Sequence, residues 1–361
     1  MKKNSDISDV IDKRLNCKLN GISPYSVPQL ECRIKLDGNE SPFSIPKELS
    51  VKLTEHLNSI EINRYPDPEA KKLKNMISIA SNFPVDGILL GNGSDELIEM
   101  MVSAFTGGTG RVMYPVPTFS MFRLCSLAYG VEVLEVDTDM NFDLDEELMI
   151  KSIDERDPDL IFLASPNNPT GNSFSEKKII SVIDHSNSIV VVDEAYGDFN
   201  DLTFLPLVEK YDNLVILRTF SKIGFAGIRL GVLLGRTEIV REINKIRLPY
   251  NINSHTQRIA ELVMENYEFV NENVQLIKKE REQIFEILSG LDGVSPFPSD
   301  ANFILFRVSD ADSVFERLME KGILIRNFNS PGRLENCLRV TIGKPEENEA
   351  FASALSNIVS S

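Results

Sequence analysis

The amino-acid sequence predicts an α/β protein: a large domain with a mostly parallel seven-stranded sheet between helices, followed by a smaller α+β domain. Three observations carry the prediction. The chain has 361 residues, of which 42% are hydrophobic and 25% charged, enough for about two domains with cores of their own. From residue 87 to residue 235, short β-branched apolar runs alternate with stretches of helical spacing, the rhythm of βαβ units around a parallel sheet. Beyond residue 291 the order becomes strand, helix, strand, strand, helix, which suits a small separate layer.

The first 45 residues lack the apolar spacing of a core and are expected to pack on the small domain or on a partner subunit. Residues 46–290 then form the large domain and 291–361 the small one. Strands are predicted over 88–90, 111–114, 131–136, 160–164, 189–193, 214–218 and 230–234, each an apolar run too short for a helix. Between them, residues 94–105, 119–129 and 176–185 place apolar side chains three and four apart. Gly130 stands where a helix C-terminal cap belongs. From 237 to about 291 the pattern is helical. It breaks at Leu248-Pro-Tyr-Asn-Ile-Asn253, because Pro249 cannot continue a helix, and a long helix is expected to bridge to the last segment. There, 301–308, 313–321, 323–326, 338–342 and 346–359 read as strand, helix, strand, strand and helix.

Charge and cysteine usage narrow the function classes. Lys plus Arg number 38 against 54 Asp plus Glu, a formal net charge of -16, which repels nucleic acid and anionic lipid over most of the surface. An anionic ligand must therefore be held by a local cationic cluster. Cys17, Cys32, Cys125 and Cys337 form no CxxC pair, and His56, His185 and His255 share no ligand spacing, so neither a disulfide framework nor a metal site is expected. The polar N-terminus and the shortness of the apolar runs give no leader and no membrane span, and a soluble cytoplasmic protein is expected.

Five loops carry the chemistry. Leu217-Arg-Thr-Phe-Ser-Lys-Ile-Gly-Phe-Ala-Gly-Ile-Arg-Leu-Gly231 leads a strand into a hydroxyl-rich turn and displays Lys222 at the strand's carboxyl end, where open α/β sheets bind ligands. A lysine partly desolvated there, near Arg229, can attack a carbonyl; the segment alone suits a solvated surface lysine equally. Ile189-Val-Val-Val-Asp-Glu-Ala-Tyr196 ends an apolar strand in Asp193. A buried carboxylate there needs a cation such as a protonated pyridine nitrogen; otherwise the residue caps a helix or holds magnesium.

Ala164-Ser-Pro-Asn-Asn-Pro-Thr-Gly171 is a stiff loop whose Asn168 can donate to an anionic oxygen, or it is an ordinary Asn-Pro turn. Leu90-Gly-Asn-Gly-Ser-Asp-Glu-Leu97 joins a strand to a helix, so the N–H groups of Ser94, Asp95 and Glu96 form an anion site that suits a phosphate. The dinucleotide pattern GxGxxG is absent, and Ser94 or Asp95 can equally be a plain helix cap. Val116-Pro-Thr-Phe-Ser-Met-Phe122 sets Phe119 at a helix start, either to stack on a flat heteroaromatic ligand or to fill the core.

In this order the loops resemble those of fold-type I pyridoxal-phosphate aminotransferases of the class II subfamily, and within it the histidinol-phosphate aminotransferase branch. The resemblance extends through Pro24-Tyr25, Ile34-Lys-Leu-Asp-Gly-Asn-Glu-Ser-Pro-Phe43, Arg64-Tyr-Pro-Asp-Pro68, Ala301-Asn-Phe-Ile-Leu305 and Cys337-Leu-Arg-Val-Thr-Ile-Gly343, nearly the whole chain. It implies pyridoxal 5'-phosphate as cofactor and a homodimer with shared sites. Lys222, Asp193 and Tyr196 are the implied catalytic residues: Lys222 carries the cofactor covalently, Asp193 pairs with the ring nitrogen, and Tyr196 with Asn168 holds the phenolic oxygen. The cofactor phosphate takes the N–H groups of Ser94 and Asp95, the Ser221 hydroxyl and the Arg229 guanidinium, Glu96 and Thr219 are further cofactor-binding residues, Phe119 stacks on the ring, and Tyr65 reaches the phosphate from the neighbouring subunit. Phe119 stands where many relatives carry tyrosine, and the interval from Lys222 to Arg229 is one residue shorter than the commoner spacing.

On the substrate side the resemblance implies that Arg339 clamps the glutamate carboxylate, that Tyr25 and Arg326 lie near the substrate phosphate, and that Asn39 belongs to the segment covering the substrate. Without the resemblance, Arg326 reads as a surface ion-pairing residue and Arg339 as a strand-end salt bridge. The implied partners are small molecules, an amino donor and a 2-oxo acid, with no nucleic acid and no membrane. The implied reaction is histidinol phosphate plus 2-oxoglutarate to imidazole acetol phosphate plus glutamate, in histidine biosynthesis. Relatives with the same loops transaminate aromatic amino acids or decarboxylate threonine phosphate. A non-catalytic cofactor-sensing regulator would need an additional basic domain and is opposed by the charge of -16.

Overall fold

A computed structural model describes residues 7–15 and 31–360, so Cys17 and Tyr25 lie outside the described residues. The chain opens with α1 (Ile7–Arg14), β1 (Ile34–Lys35), α2 (Lys47–Asn58) and α3 (Lys71–Ser81). The alternating stretch follows as β2 (Ile88–Asn92), α4 (Ser94–Thr106), β3 (Arg111–Val116), α5 (Ser120–Ala128), β4 (Glu132–Asp137), α6 (Glu146–Arg156), β5 (Leu160–Ala164) and α7 (Glu176–His185). It ends with β6 (Ile189–Asp193), β7 (Leu214–Thr219) and β8 (Leu230–Gly235). All seven strands predicted from the alternation enter one sheet, in the order β2-β8-β7-β6-β5-β3-β4. β8 alone is antiparallel to its neighbours, returning beside β7 and pairing on its far side with β2.

Both faces of this sheet are covered, which is why its inner strands are apolar without interruption. Along β5 and β6, Leu160, Phe162 and Val191 face one layer with α4 and α5, while Ile161, Leu163, Val190 and Val192 face the other with α3, α6 and α7. The helices that follow β3 and β5 therefore lie on opposite faces. Their entry loops part at the carboxyl edge of the sheet and open a crevice between two neighbouring strands, the place where such sheets bind ligands.

The sheet leads into α8 (Thr237–Asn244), α9 (Ser254–Glu265) and α10 (Glu268–Ser289), then β9 (Ser295–Pro296), β10 (Phe303–Arg307) and α11 (Ala311–Glu320). β11 (Ile323–Leu324), β12 (Arg326–Asn327), β13 (Cys337–Thr341) and α12 (Pro345–Val359) complete the chain. The second sheet has the order β12-β13-β10-β9. β1 pairs in parallel with β11, Ile34 opposite Ile323, and Thr341 donates its N–H to Leu36 O at 2.9 Å, so residues 34–36 are fastened to this layer. Buried Arg281 on α10 donates to Ala301 O at 3.0 Å and Phe199 O at 3.4 Å, tying the loop after β6 to the approach to β10.

The structure departs from the periodicity at a few places, each with a physical reason. α6 buries only Met149 and Ile153, a stripe too narrow to mark a helix, although Asp145 caps it by accepting from Leu148 N–H at 3.0 Å. α9 and α10 are separate helices because Asn266 leaves helical backbone, a break that no proline or glycine announces. The strand expected over 323–326 is two: at Ile325 the chain passes from pairing with β1 to pairing with β13. Among the described residues no helix is long and apolar enough to cross a membrane.

Candidate active site

The carboxyl ends of β2, β3, β5, β6 and β7 face a cavity of about 400 Å³, covered from the other side by residues 35–40 and by Arg326, Phe328 and Arg339. Lys35, Lys222, Arg229, Arg326 and Arg339 all line it, which supplies the cationic cluster that a chain of charge -16 needs to hold an anion.

One end of the cavity is built for an anion. α4 begins after Gly93, which has no side chain to cap it and takes φ +82°; the capping alternative for Ser94 and Asp95 therefore falls away, and the first N–H groups of the helix are left to the cavity. Arg229 closes this end. It adopts left-handed backbone at φ +51° and places its guanidinium 2.7 Å from Asp95 Oδ2, so the short interval from Lys222 still delivers the charge to the helix N-terminus. Gly93 is required by its left-handed φ of +82°, and Gly231 by close approach, since a Cβ there would lie 2.5 Å from Ser94 N. Thr219 braces the same end, its hydroxyl donating to Ser221 Oγ at 2.9 Å and accepting from Ser221 N–H at 3.1 Å.

The middle of the cavity is bounded by a ring and a carboxylate. Phe119, the residue before α5, lines it, its ring perpendicular to that of Phe122 with centroids 5.7 Å apart. Asp193 ends β6 at 3% exposure, its Oδ1 accepting from Ala195 N–H at 3.0 Å. Burial pushes its carboxyl from 3.8 up to about 7, against the opposing pull of that N–H. The short helix that follows, Gly197–Phe199, has Tyr196 at its N-cap position, so Asp193 is not its cap. Its neighbour Glu194 does not line the cavity and is matched by Arg218, Thr203 and the Phe204 N–H, so of the two carboxylates Asp193 is the one on the cavity wall. Lys222 lines the cavity with Nζ 5.6 Å from the centre of the Tyr196 ring.

The far end holds the arginines. Arg339 donates to Asn168 Oδ1 at 2.5 Å and to Asp37 O at 2.8 Å, which turns the Asn168 amide N–H₂ away from the arginine as a donor. Arg326 and Arg339 are directly opposite each other on β12 and β13, and Phe328 lies against both guanidiniums, at 6.0 and 5.1 Å. Asn39 donates from Nδ2 to the Tyr196 hydroxyl at 2.8 Å. Most of the residues expected in the site thus meet here, with three exceptions. Glu96 turns its carboxylate to Asn251 and the Asn92 N–H and does not line the cavity, because that side chain is needed to hold the turn before α4. Tyr65 lies outside the lining, 80% exposed and stacked on Tyr250 at 4.4 Å. Tyr25 lies outside the described residues. Sequence reasoning missed Phe328 and Thr341; a period of two counted from Arg326 and from Arg339 would have put both on the facing side.

Residues 33–355 match the aminotransferase class I and II family. The chain is 42% identical over 351 residues to histidinol-phosphate aminotransferase 2 of Nitrosococcus oceani, covering 96% of this chain and 98% of that one. It is 40% identical over 346 residues to the histidinol-phosphate aminotransferase of Aquifex aeolicus, covering 95% and 98%. The fold is that of the histidinol-phosphate aminotransferase from Sinorhizobium meliloti in complex with pyridoxal-5'-phosphate, with a TM-score of 0.87 at 23% identity over 96% of this chain and 98% of that one.

The Asp193 carboxylate generates a prediction for the cofactor-free protein. Folding raises its pKa from 3.8 to about 7, so the folded state disfavours the ionised form; the cost is complete above about pH 7 and gone below about pH 4, where folded and unfolded chains are both protonated. Asp193→Asn should therefore melt a few degrees higher than the unmodified chain near pH 8, with a margin that shrinks towards pH 4. Thermal melts of the two proteins across that range check it, and a margin independent of pH would contradict it.

Proposed function

The chain belongs to the aminotransferase class I and II family, and on that premise we propose that it transfers the amino group of histidinol phosphate to 2-oxoglutarate with pyridoxal 5'-phosphate as cofactor. The observation that carries the substrate choice is that Arg326 and Arg339, directly opposite each other on β12 and β13, both line the far end of the cavity. Like charges directly opposite on a sheet repel, and a bound dianion relieves the repulsion where a neutral aromatic side chain would not. A substrate phosphate meets both arginines. When glutamate is the donor its carboxylate takes the bidentate fork of Arg339, a geometry lysine lacks. The names of the relatives point the same way.

The residues fit the cofactor group by group. Its phosphate suits the uncapped N–H groups of Ser94 and Asp95 with the Ser221 and Thr219 hydroxyls and Arg229, and its ring suits the face of Phe119. Its protonated ring nitrogen would be the cation that buried Asp193 calls for, and Tyr196 and Asn168, which line the cavity, would donate to its phenolic oxygen. When bound, pyridoxal phosphate supplies an aldehyde that joins amines covalently and a ring that draws electrons from the carbon bearing the nitrogen. Lys222 would hold that aldehyde, and its Nζ, when free, would move a proton off and onto the substrate carbon. Asp193 keeps the ring nitrogen protonated by its fixed negative charge, a stabilisation present before the reaction begins.

The proposal includes a cytoplasmic homodimer, with residues 46–290 as the cofactor-binding domain, 291–361 as the small domain and the first 45 residues covering the site or the partner. Exposed Tyr65, together with exposed Ile62 and Leu248, supports a partner contact through which Tyr65 completes the neighbouring phosphate site. Tyr25 and Asn39 join the cover over the substrate.

Losing one charge-assisted bond to a phosphate costs about 1.5–3 kcal/mol, or roughly ten- to a hundredfold in specificity. Arg326→Ala should lower kcat/KM for histidinol phosphate by that factor and leave glutamate within a few-fold, whereas Arg339→Ala should lower both. Assays with histidinol phosphate, glutamate, phenylalanine and threonine phosphate check this. Equal losses in Arg326→Ala, or strong phenylalanine turnover with none on histidinol phosphate, would move the substrate to another member of the family. For the shared site, mixing inactive Lys222→Ala and inactive Tyr65→Ala chains should restore part of the activity, since mixed dimers contain one site with neither change; a fully active monomer would contradict it.

A further inference from the structure

We propose that Thr341, which does not line the cavity, sets the direction of the Tyr196 hydroxyl through Asn39, so that the phenol proton points at the cofactor's ring oxygen instead of back into the protein. The inference rests on the cofactor reading above and deepens it. All three side chains are buried, Thr341 at 3%, Asn39 at 1% and Tyr196 at 4% exposure. The Thr341 hydroxyl accepts from Asn39 N–H at 2.9 Å and donates to Asn39 Oδ1 at 3.1 Å. With Oδ1 committed to that donor, the Asn39 amide presents Nδ2 to Tyr196 Oη at 2.8 Å. An amide nitrogen only donates, so the phenol oxygen is the acceptor in this bond and its own hydrogen must go elsewhere. The elsewhere is the cavity that Tyr196 lines.

The arrangement leaves Asn39 a single free variable. Its backbone sits at φ +53°, a left-handed conformation that asparagine takes more readily than most residues, and its carbonyl accepts from Asn302 Nδ2 at 3.1 Å. Only the amide flip remains, and the hydrogen that the Thr341 hydroxyl gives to Oδ1 favours the orientation with Nδ2 towards Tyr196. Without that hydroxyl the flipped amide can offer Oδ1 to Tyr196, which would then turn its hydrogen away from the cavity. Thr341 is two residues beyond Arg339 on β13, and Arg339 fixes the Asn168 amide by the same device, donating to its oxygen. One face of one strand in the second sheet thereby orients both polar groups aimed at the ring oxygen. Thr341 is a positioning residue, and Asn39 is its carrier.

The visible absorbance of the cofactor-loaded protein changes with pH as the cofactor takes up a proton. A hydrogen donated to the ring oxygen favours the unprotonated form, so losing that donor moves the midpoint up. One hydrogen bond to an ionised oxygen corresponds to about one pH unit or somewhat more. Tyr196→Phe should show that shift in full, Thr341→Val at least about half of it, and Thr341→Ser none. The double variant Tyr196→Phe with Thr341→Val should move no further than Tyr196→Phe alone, because both act on the same proton. Should Thr341→Val not fold, Thr341→Ala against Thr341→Ser makes the same comparison, since alanine also removes the hydroxyl. An unchanged midpoint in the variants lacking the hydroxyl, or a shift that adds to that of Tyr196→Phe, overturns the inference alone. An unmodified protein that binds no pyridoxal phosphate overturns the cofactor reading and the inference with it.

Discussion

Asp193 ends β6 with a carboxylate buried to 3% exposure, pushed up to about 7 by the loss of water and supported on the cavity side by the Ala195 N–H. A charge so placed is costly until a cation reaches it. The surrounding chain makes room for one instead of filling the space. Glu194, the next residue, is matched in full by Arg218 and its neighbours, so the sequence has cations available and directs them elsewhere. Towards its two ends the charges are reversed: an uncapped helix N-terminus with Arg229 at one, and Arg326 with Arg339 in register at the other. The cavity thus sets a buried carboxylate between two cationic ends, an arrangement complementary to a zwitterionic ring ligand with an anionic substrate. That complementarity, held in place before any ligand arrives, is how such sites stabilise developing charge.

The large sheet supplies the rigid half of this arrangement and the second sheet supplies the orienting half. The crevice exists because the helices after β3 and β5 go to opposite faces. Arg339 and Thr341 reach into it from β13, each gripping the oxygen of an asparagine amide, and Arg281 ties the loop after β6 to the approach to β10. A displacement of the second sheet would loosen the Asn168 and Asn39 amides together, which couples the position of the small layer to the polarity of the cavity.

The parts of this molecule that were legible in the sequence are those where a local pattern has one structural meaning. The runs that became β5 and β6 are apolar at every position up to the Asp193 that ends β6, a pattern that suits strands covered on both faces, and the loops that follow each strand carry their chemistry within a few residues of it. Helix α6 escaped because two buried side chains make no stripe, and the break after α9 escaped because Asn266 does not announce it. Within the site, Glu96 was read for its backbone N–H at the helix start, and the use of its carboxylate to hold the turn before α4 was not legible, because its partner Asn251 is distant in the chain. Thr341 was invisible for a different reason: its partner Asn39 lies 302 residues away in the chain, and its effect passes through a third residue. Side chains that act by orienting others leave no local signature; their pairing has to be seen in three dimensions.

The central claim is that the Asp193 carboxylate is completed by a protonated ring nitrogen. The ¹⁵N chemical shift of that nitrogen, recorded in protein loaded with ring-labelled pyridoxal phosphate, tests it directly. The nitrogen should remain protonated from about pH 6 to about pH 9 in the unmodified protein and lose its proton in Asp193→Asn, because a neutral amide cannot hold the charge. A neutral nitrogen in the unmodified protein, or the same shift in both proteins, would contradict the account.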